Sequence, residues 1–205
     1  MSTEIPQQIR DSADITAISQ LVLRERESRD MARWEVMRDC FHHDSIVKIS
    51  WFDGSGPEFV EGSIDMARRG MYAKHRLGPV LVTLAGDRAM ASLTGIIDIP
   101  RNIDGIDLVL TAYGRFIYRA EKREGIWRIY SFECIYMRDE LTPSILGQTV
   151  AINPVEVEGF RPSYRNLAWC LMKTGYEVDQ NLPGEDKPET VEQMMLKIEN
   201  WLQKN

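Results

Sequence analysis

Residues 79–137 are a succession of strand-like runs, partly alternating and parted by turn residues, and few folds accommodate such a stretch. PVLVTL (79–84), the AGDR turn and AMASLTGIIDI (89–99) predict one hairpin. LVLTAYGRFIYRAEKR (108–123), a turn at Glu124-Gly125 and IWRIYSFECIYM (126–137) predict a second with longer strands. Parity splits strand 108–123 into Leu110, Ala112, Gly114, Phe116 and Tyr118 against Thr111, Tyr113, Arg115 and Ile117. The first set is the more apolar, so it is assigned to the interior and Arg115 to the outside. On the last strand Phe132, Cys134 and Tyr136 share a face.

The segments before this meander read mainly as helices. Ile15, Ile18, Leu21 and Val22 recur at helical spacing within 13–29, with RERESR as a charged outer face. Met31, Trp34, Met37 and Phe41 predict a short helix over 31–41, with Asp30 as its N-cap. SIVKISWF (45–52) alternates, placing Val47, Ile49 and Trp51 on one face of a strand that DGSGP ends. Ser63 and Asp65 open a helix to about Lys74, and His75 ends it. Early helices followed by antiparallel strands give an α+β class: one curved sheet wrapped over the N-terminal helices.

Beyond an irregular stretch at 139–161 lie two more apolar stripes. One is Tyr164, Leu167, Ala168, Leu171 and Met172; the other is Val191, Met194, Met195, Ile198, Trp201 and Leu202. Asp186 is the expected N-cap of the second, and Pro188 suits its first turn. The organisation expected is a sheet domain over 1–140 and a helical extension over 141–205 docked on it.

Composition excludes several function classes. A formal net charge of −6 with interspersed basic residues gives no phosphate-binding face, so nucleic acid is not the expected partner. The apolar runs are too short to span a bilayer. Cys40, Cys134 and Cys170 are odd in number and far apart, suiting neither a disulfide framework nor a zinc site. A soluble, cytoplasmic protein is expected. His42, His43 and Asp44 form a metal-like fragment, but adjacent residues point apart, so both histidines are assigned to solvent and no metal is expected. GSGP (54–57) is a turn without the lysine of a phosphate loop, and no nucleophile elbow is present.

His75 and Asp30 each admit an ordinary reading. A histidine at a helix C-terminus hydrogen-bonds the last carbonyls and favours the dipole. An aspartate between helices caps the second or pairs with Arg26 at i,i+4. A different reading comes from AISQLVLRERESRD (17–30), MYAKHRLG (71–78) and EKREGIWRI (121–129). These segments, in this order of elements, resemble the SnoaL-like group of the nuclear-transport-factor-2-like superfamily, over about residues 13–140. That group includes scytalone dehydratase, bile-acid 7α-dehydratase and lindane dehydrochlorinase. The resemblance implies a cone-shaped domain, a catalytic aspartate closing the first helix at Asp30, and a catalytic histidine at His75. It also implies a homo-oligomer, dimer or trimer, formed through sheet faces. One position departs: where the dehydrochlorinase resemblance suggests an arginine on the last strand, this chain has Phe132, so that arginine's part is either absent or supplied by another residue such as Arg115 or Arg138.

On this reading His75 is a general base, and Asp30 fixes its tautomer, stabilises the imidazolium and raises the histidine pKa. The pair can remove a proton from carbon and expel a hydroxyl or halide, or return the proton elsewhere, with no metal or organic cofactor. The expected substrate is a small, largely apolar cyclic molecule. Trp51, Tyr72, Phe116, Phe132, Cys134 and Tyr136 are the candidate lining, with the Tyr136 hydroxyl able to donate; core packing explains Trp51 and Phe116 equally well. Two other readings share the fold: a small-molecule- or partner-binding module without chemistry, and a polyketide-cyclase-like enzyme.

Overall fold

The strand-like runs over 79–137 become the long strands of a seven-stranded sheet, and helices from both ends of the chain close around it. The computed structural model describes residues 5–203. It begins with α1 (Gln7–Asp30), α2 (Trp34–Asp39), β1 (Phe41–Ile49), β2 (Phe52–Ser55), α3 (Gly56–Arg68) and β3 (Lys74–Leu77). The meander is β4 (Leu81–Ala85), β5 (Arg88–Ile103), β6 (Ile106–Arg123) and β7 (Ile126–Pro143). It ends with α4 (Pro154–Glu158), α5 (Arg165–Lys173) and α6 (Pro188–Leu202). No helix among the described residues is long and apolar enough to cross a membrane.

The protein is α+β. Strands lie in the order β2-β1-β7-β6-β5-β3, and β4 also pairs with β5. The sheet is mostly antiparallel, but β1 runs parallel to β7, with Val47 opposite Phe132. On β6 Leu110, Ala112, Phe116 and Tyr118 are buried and Arg115 is exposed, as the parity expectation has it, but Thr111 and Ile117 of the outer set are buried too, Ile117 beneath α6. Tyr118 stacks on Phe132 with centroids 4.5 Å apart, and Phe116 meets Phe132 edge-on. Burial of each such ring contributes about 1.5–3 kcal/mol to the core.

Several expected boundaries move, each for a local reason. The helix placed from Ser63 begins seven residues earlier, because Ser55 and Glu58 form a capping box and Pro57 sits in the first turn. Gly56 is required there, since a Cβ would lie 2.3 Å from Ser45 Oγ and 2.7 Å from the Phe41 ring. That helix stops at Arg68, followed by Gly70 at φ 71°. His75 therefore terminates no helix; it lies in β3, paired with Ile97 of β5. Asp30 caps no second helix either: it is the last residue of α1, and Arg33 precedes α2. Phe41 belongs to β1 rather than to the second helix, and Trp51 lies in the turn after β1. His42 is buried with Nε2 3.0 Å from the Glu121 carbonyl, whereas His43 is exposed. Ile15 and Met172 stand at 40% and 45% exposure, outside their expected apolar stripes.

The C-terminal helices take two faces of the sheet. Asp139 of β7 accepts the Leu167 amide (2.7 Å) and the Asn166 side chain (2.8 Å), which fixes the start of α5 over the concave side. On the convex side Met194 and Ile198 of α6 pack on Ile117 and Ile135. Asp186 is not the cap of α6: it binds Arg161 and Ser163 instead.

Candidate functional site

Asp30 holds His75 by two contacts. Its Oδ2 accepts the His75 backbone N–H (2.7 Å), and its Oδ1 lies 2.6 Å from the ring Nδ1. The Lys74 ammonium donates to the Asp30 carbonyl, so α1 and β3 are tied at three points. A carboxylate oxygen accepts, so Nδ1 carries the proton and Nε2 keeps its lone pair. The ring edge stands against Phe116, with centroids 5.9 Å apart.

The imidazole lines a narrow, largely apolar cavity that opens to solvent. Trp51, Tyr72, Phe116, Phe132, Cys134 and Tyr136 line the same cavity, with Tyr72 60% exposed at its edge. The Tyr136 hydroxyl accepts the Ser50 amide (2.7 Å), which fixes the oxygen and leaves its own proton to donate. Burial keeps that phenol protonated, raising its pKa well above the ordinary value. Burial likewise pushes the Cys134 thiol up, so it is no thiolate nucleophile.

Sequence reasoning missed the charged part of this wall. RERESR is not an outer face: Glu25 and Arg26 are 0% and 2% exposed, and Arg26 and Arg29 line the cavity. The signal was present, because the buried positions Ile18, Leu21 and Val22 continue through Glu25 and Arg26 at helical spacing, with the partly buried Arg29 next on the same face. Arg26 pairs in a fork with Glu25, not with Asp30, and Tyr118 also donates to Glu25 (3.2 Å). The Arg26 guanidinium lies 4.8 Å above the Phe132 ring. The cation beside Phe132 thus comes from α1, whereas Arg115 is exposed and Arg138 is bound to Glu140 at the surface. Arg29 stands over Trp51 at 5.6 Å. Arg101 of β5 and Leu167 and Leu171 of α5 complete the enclosure, none of them signalled by the strand pattern.

This setting corrects the expected histidine pKa. Burial disfavours the imidazolium, Arg26 and Arg29 repel it, and together they outweigh the Asp30 hydrogen bond, lowering His75 to about 4. Burial would raise the Asp30 carboxyl, but the His75 contacts hold it below the usual range. At neutral pH the pair is therefore a carboxylate and a neutral imidazole. Burial, followed by repulsion from Arg26, brings Arg29 down to about 10.

A family model described as the SnoaL-like domain matches residues 10–133. A PEP2-like protein of Fusarium vanettenii is 27% identical over 181 residues, covering 83% of this chain and 77% of that protein. Among solved structures, a candidate scytalone dehydratase from Novosphingobium aromaticivorans superposes with a TM-score of 0.53 at 15% identity, over 70% of this chain and 100% of that one. A hexachlorocyclohexane dehydrochlorinase, LinA type 2, superposes at 0.53 and 16% identity, over 71% and 98%. At these identities the superpositions establish the fold alone.

Proposed function

The chain belongs to the SnoaL-like domain family, and from that premise we propose that it is a lyase or isomerase working through His75 and Asp30. The observation that carries the proposal is the 2.6 Å contact between His75 Nδ1 and Asp30 Oδ1 at the wall of a largely apolar cavity. In the elimination form, His75 Nε2 takes a proton from a carbon beside an activating group. The C–H electron pair becomes the new double bond, and a hydroxyl or halide departs from the adjacent carbon. The Tyr136 O–H supports the departing group, and the Asp30 carboxylate compensates the imidazolium as it forms. In the isomerase form the same proton returns to another carbon.

A low imidazole pKa makes a weak base in the resting protein, and this favours a second reading: a small-molecule-binding module without turnover. Turnover of cyclic β-hydroxy and β-halo carbonyl compounds, with His75→Ala in parallel, decides between them. The expected result is loss of about 10²–10⁴-fold in rate with the fold retained by circular dichroism. An unchanged rate in His75→Ala on an established substrate sinks the catalytic proposal.

A further inference from the structure

The cavity wall carries three guanidinium groups, Arg26, Arg29 and Arg101, and no carboxylate. Their environments differ. Arg26 is neutralised by its fork with Glu25. Arg29 has no ion pair among the described residues: its side-chain contacts are Ser63 Oγ at 3.4 Å and Met66 S at 3.9 Å, both neutral, and the face of Trp51. Asp30 is near enough to favour the Arg29 charge, but its carboxylate oxygens serve the His75 amide and ring. The buried Nε of Arg101 has no hydrogen-bond partner among the described residues. A desolvated cation with spare donors costs free energy, and an anion that fills those donors recovers it.

We propose that the molecule bound here carries a carboxylate on its apolar ring, and that Arg29 is the group that receives it. This deepens the elimination reading and rests on it for the identity of the site. The planar fork of a guanidinium matches the two oxygens of a carboxylate, and the Trp51 face holds the fork in place. With the carboxylate on Arg29, the ring lies among Trp51, Phe116 and Phe132, on the side where His75 stands. The anion also offsets the repulsion of Arg29 on His75, so binding strengthens the base it is delivered to. The resting imidazole is weak chiefly through burial, and the Arg29 charge is the part of the remaining repulsion that a bound anion can offset.

The test is calorimetric titration at fixed ionic strength with cyclohexanecarboxylate and its neutral counterpart cyclohexanecarboxamide, into the full chain. The expected result is a preference for the carboxylate of about 10–100-fold, lost in Arg29→Met and in Arg29→Gln and retained in His75→Ala. Arg29→Gln keeps a polar side chain, so the reading survives if the methionine variant fails to fold. The proposal is overturned by an absent preference in the parent protein, by failure of the carboxylate to bind, or by a preference that persists in the Arg29 variants. Carboxylate binding with no His75-dependent turnover leaves this assignment standing and removes the catalytic one. Turnover with no carboxylate preference does the reverse.

Discussion

Two arginines, Arg161 buried and Arg29 partly buried, show how differently one side chain is used in one protein. Arg161, in the C-terminal extension, has its donors taken: Nε and Nη2 bind the two oxygens of Asp186 (3.1 and 2.5 Å), and Nη1 reaches the carbonyls of Leu182 (2.6 Å) and Gln180 (3.2 Å). Arg29, in the cone interior, has only a distant hydroxyl, a thioether and an indole face. The first guanidinium is saturated by the protein and pins the extension. The second is held in place but left with capacity, the condition of a group arranged for something the protein does not supply. Burial alone does not separate a structural cation from a binding one; the tally of filled donors does.

Substitutions at the two positions should therefore diverge. Arg161→Ala leaves Asp186 without its cation and frees two carbonyls, and should cost about 3–5 kcal/mol by urea unfolding. A loss under about 1 kcal/mol would show that the saturated network is not what fixes the extension. Next in size is an acid-side loss arising at the cone. Burial holds His75 at about 4, below its ordinary 6.5, and also lowers His42, so between those values the unfolded chain binds more protons. Stability should be full above about 6.5 and fall as pH drops toward 4. His75→Gln should flatten that slope in part, leaving the share of His42; an unaltered slope would place the titration elsewhere. Tyr136→Phe removes the acceptor of the buried Ser50 amide and should cost about 1–3 kcal/mol, read as a lower melting temperature. The smallest effect sharpens the contrast most. Arg29→Met should leave stability within about 0.5 kcal/mol of the parent or raise it, because little in the fold depends on that charge. Destabilisation on the scale of Arg161→Ala would make Arg29 a structural arginine after all.

How much of this was legible beforehand varied with the kind of signal. The hairpins follow from strand-like runs parted by turn residues, and the interior face of β6 from its more apolar parity, although α6 also covers Ile117 on the opposite face. The start of α3 was misplaced because GSGP reads as a turn, while the capping pair Ser55 and Glu58 lies across it. β3 was missed because KHRL carries no apolar alternation; what makes it a strand is pairing with β5, a long-range contact. Arg26 and Arg29 were assigned outward on charge, although their positions continue the buried stripe of α1. There the period was the better guide than the residue type. Asp30 and His75 were singled out through a resemblance, and local pattern alone assigned both to helix ends. Their pairing is a property of tertiary structure, since 45 residues separate them along the chain.

The roof of the cavity is made by the far end of the chain. Leu167 and Leu171 come from α5, anchored to β7 through Asp139 and joined to it by a segment of modest regularity. The wall of the cavity is thereby drawn from separate stretches of sequence: Arg29, Asp30 and His75 belong to α1 and β3, while the ceiling belongs to α5. A substitution at Leu167 or Leu171 alters that ceiling at a place remote in sequence from the Asp30–His75 contact.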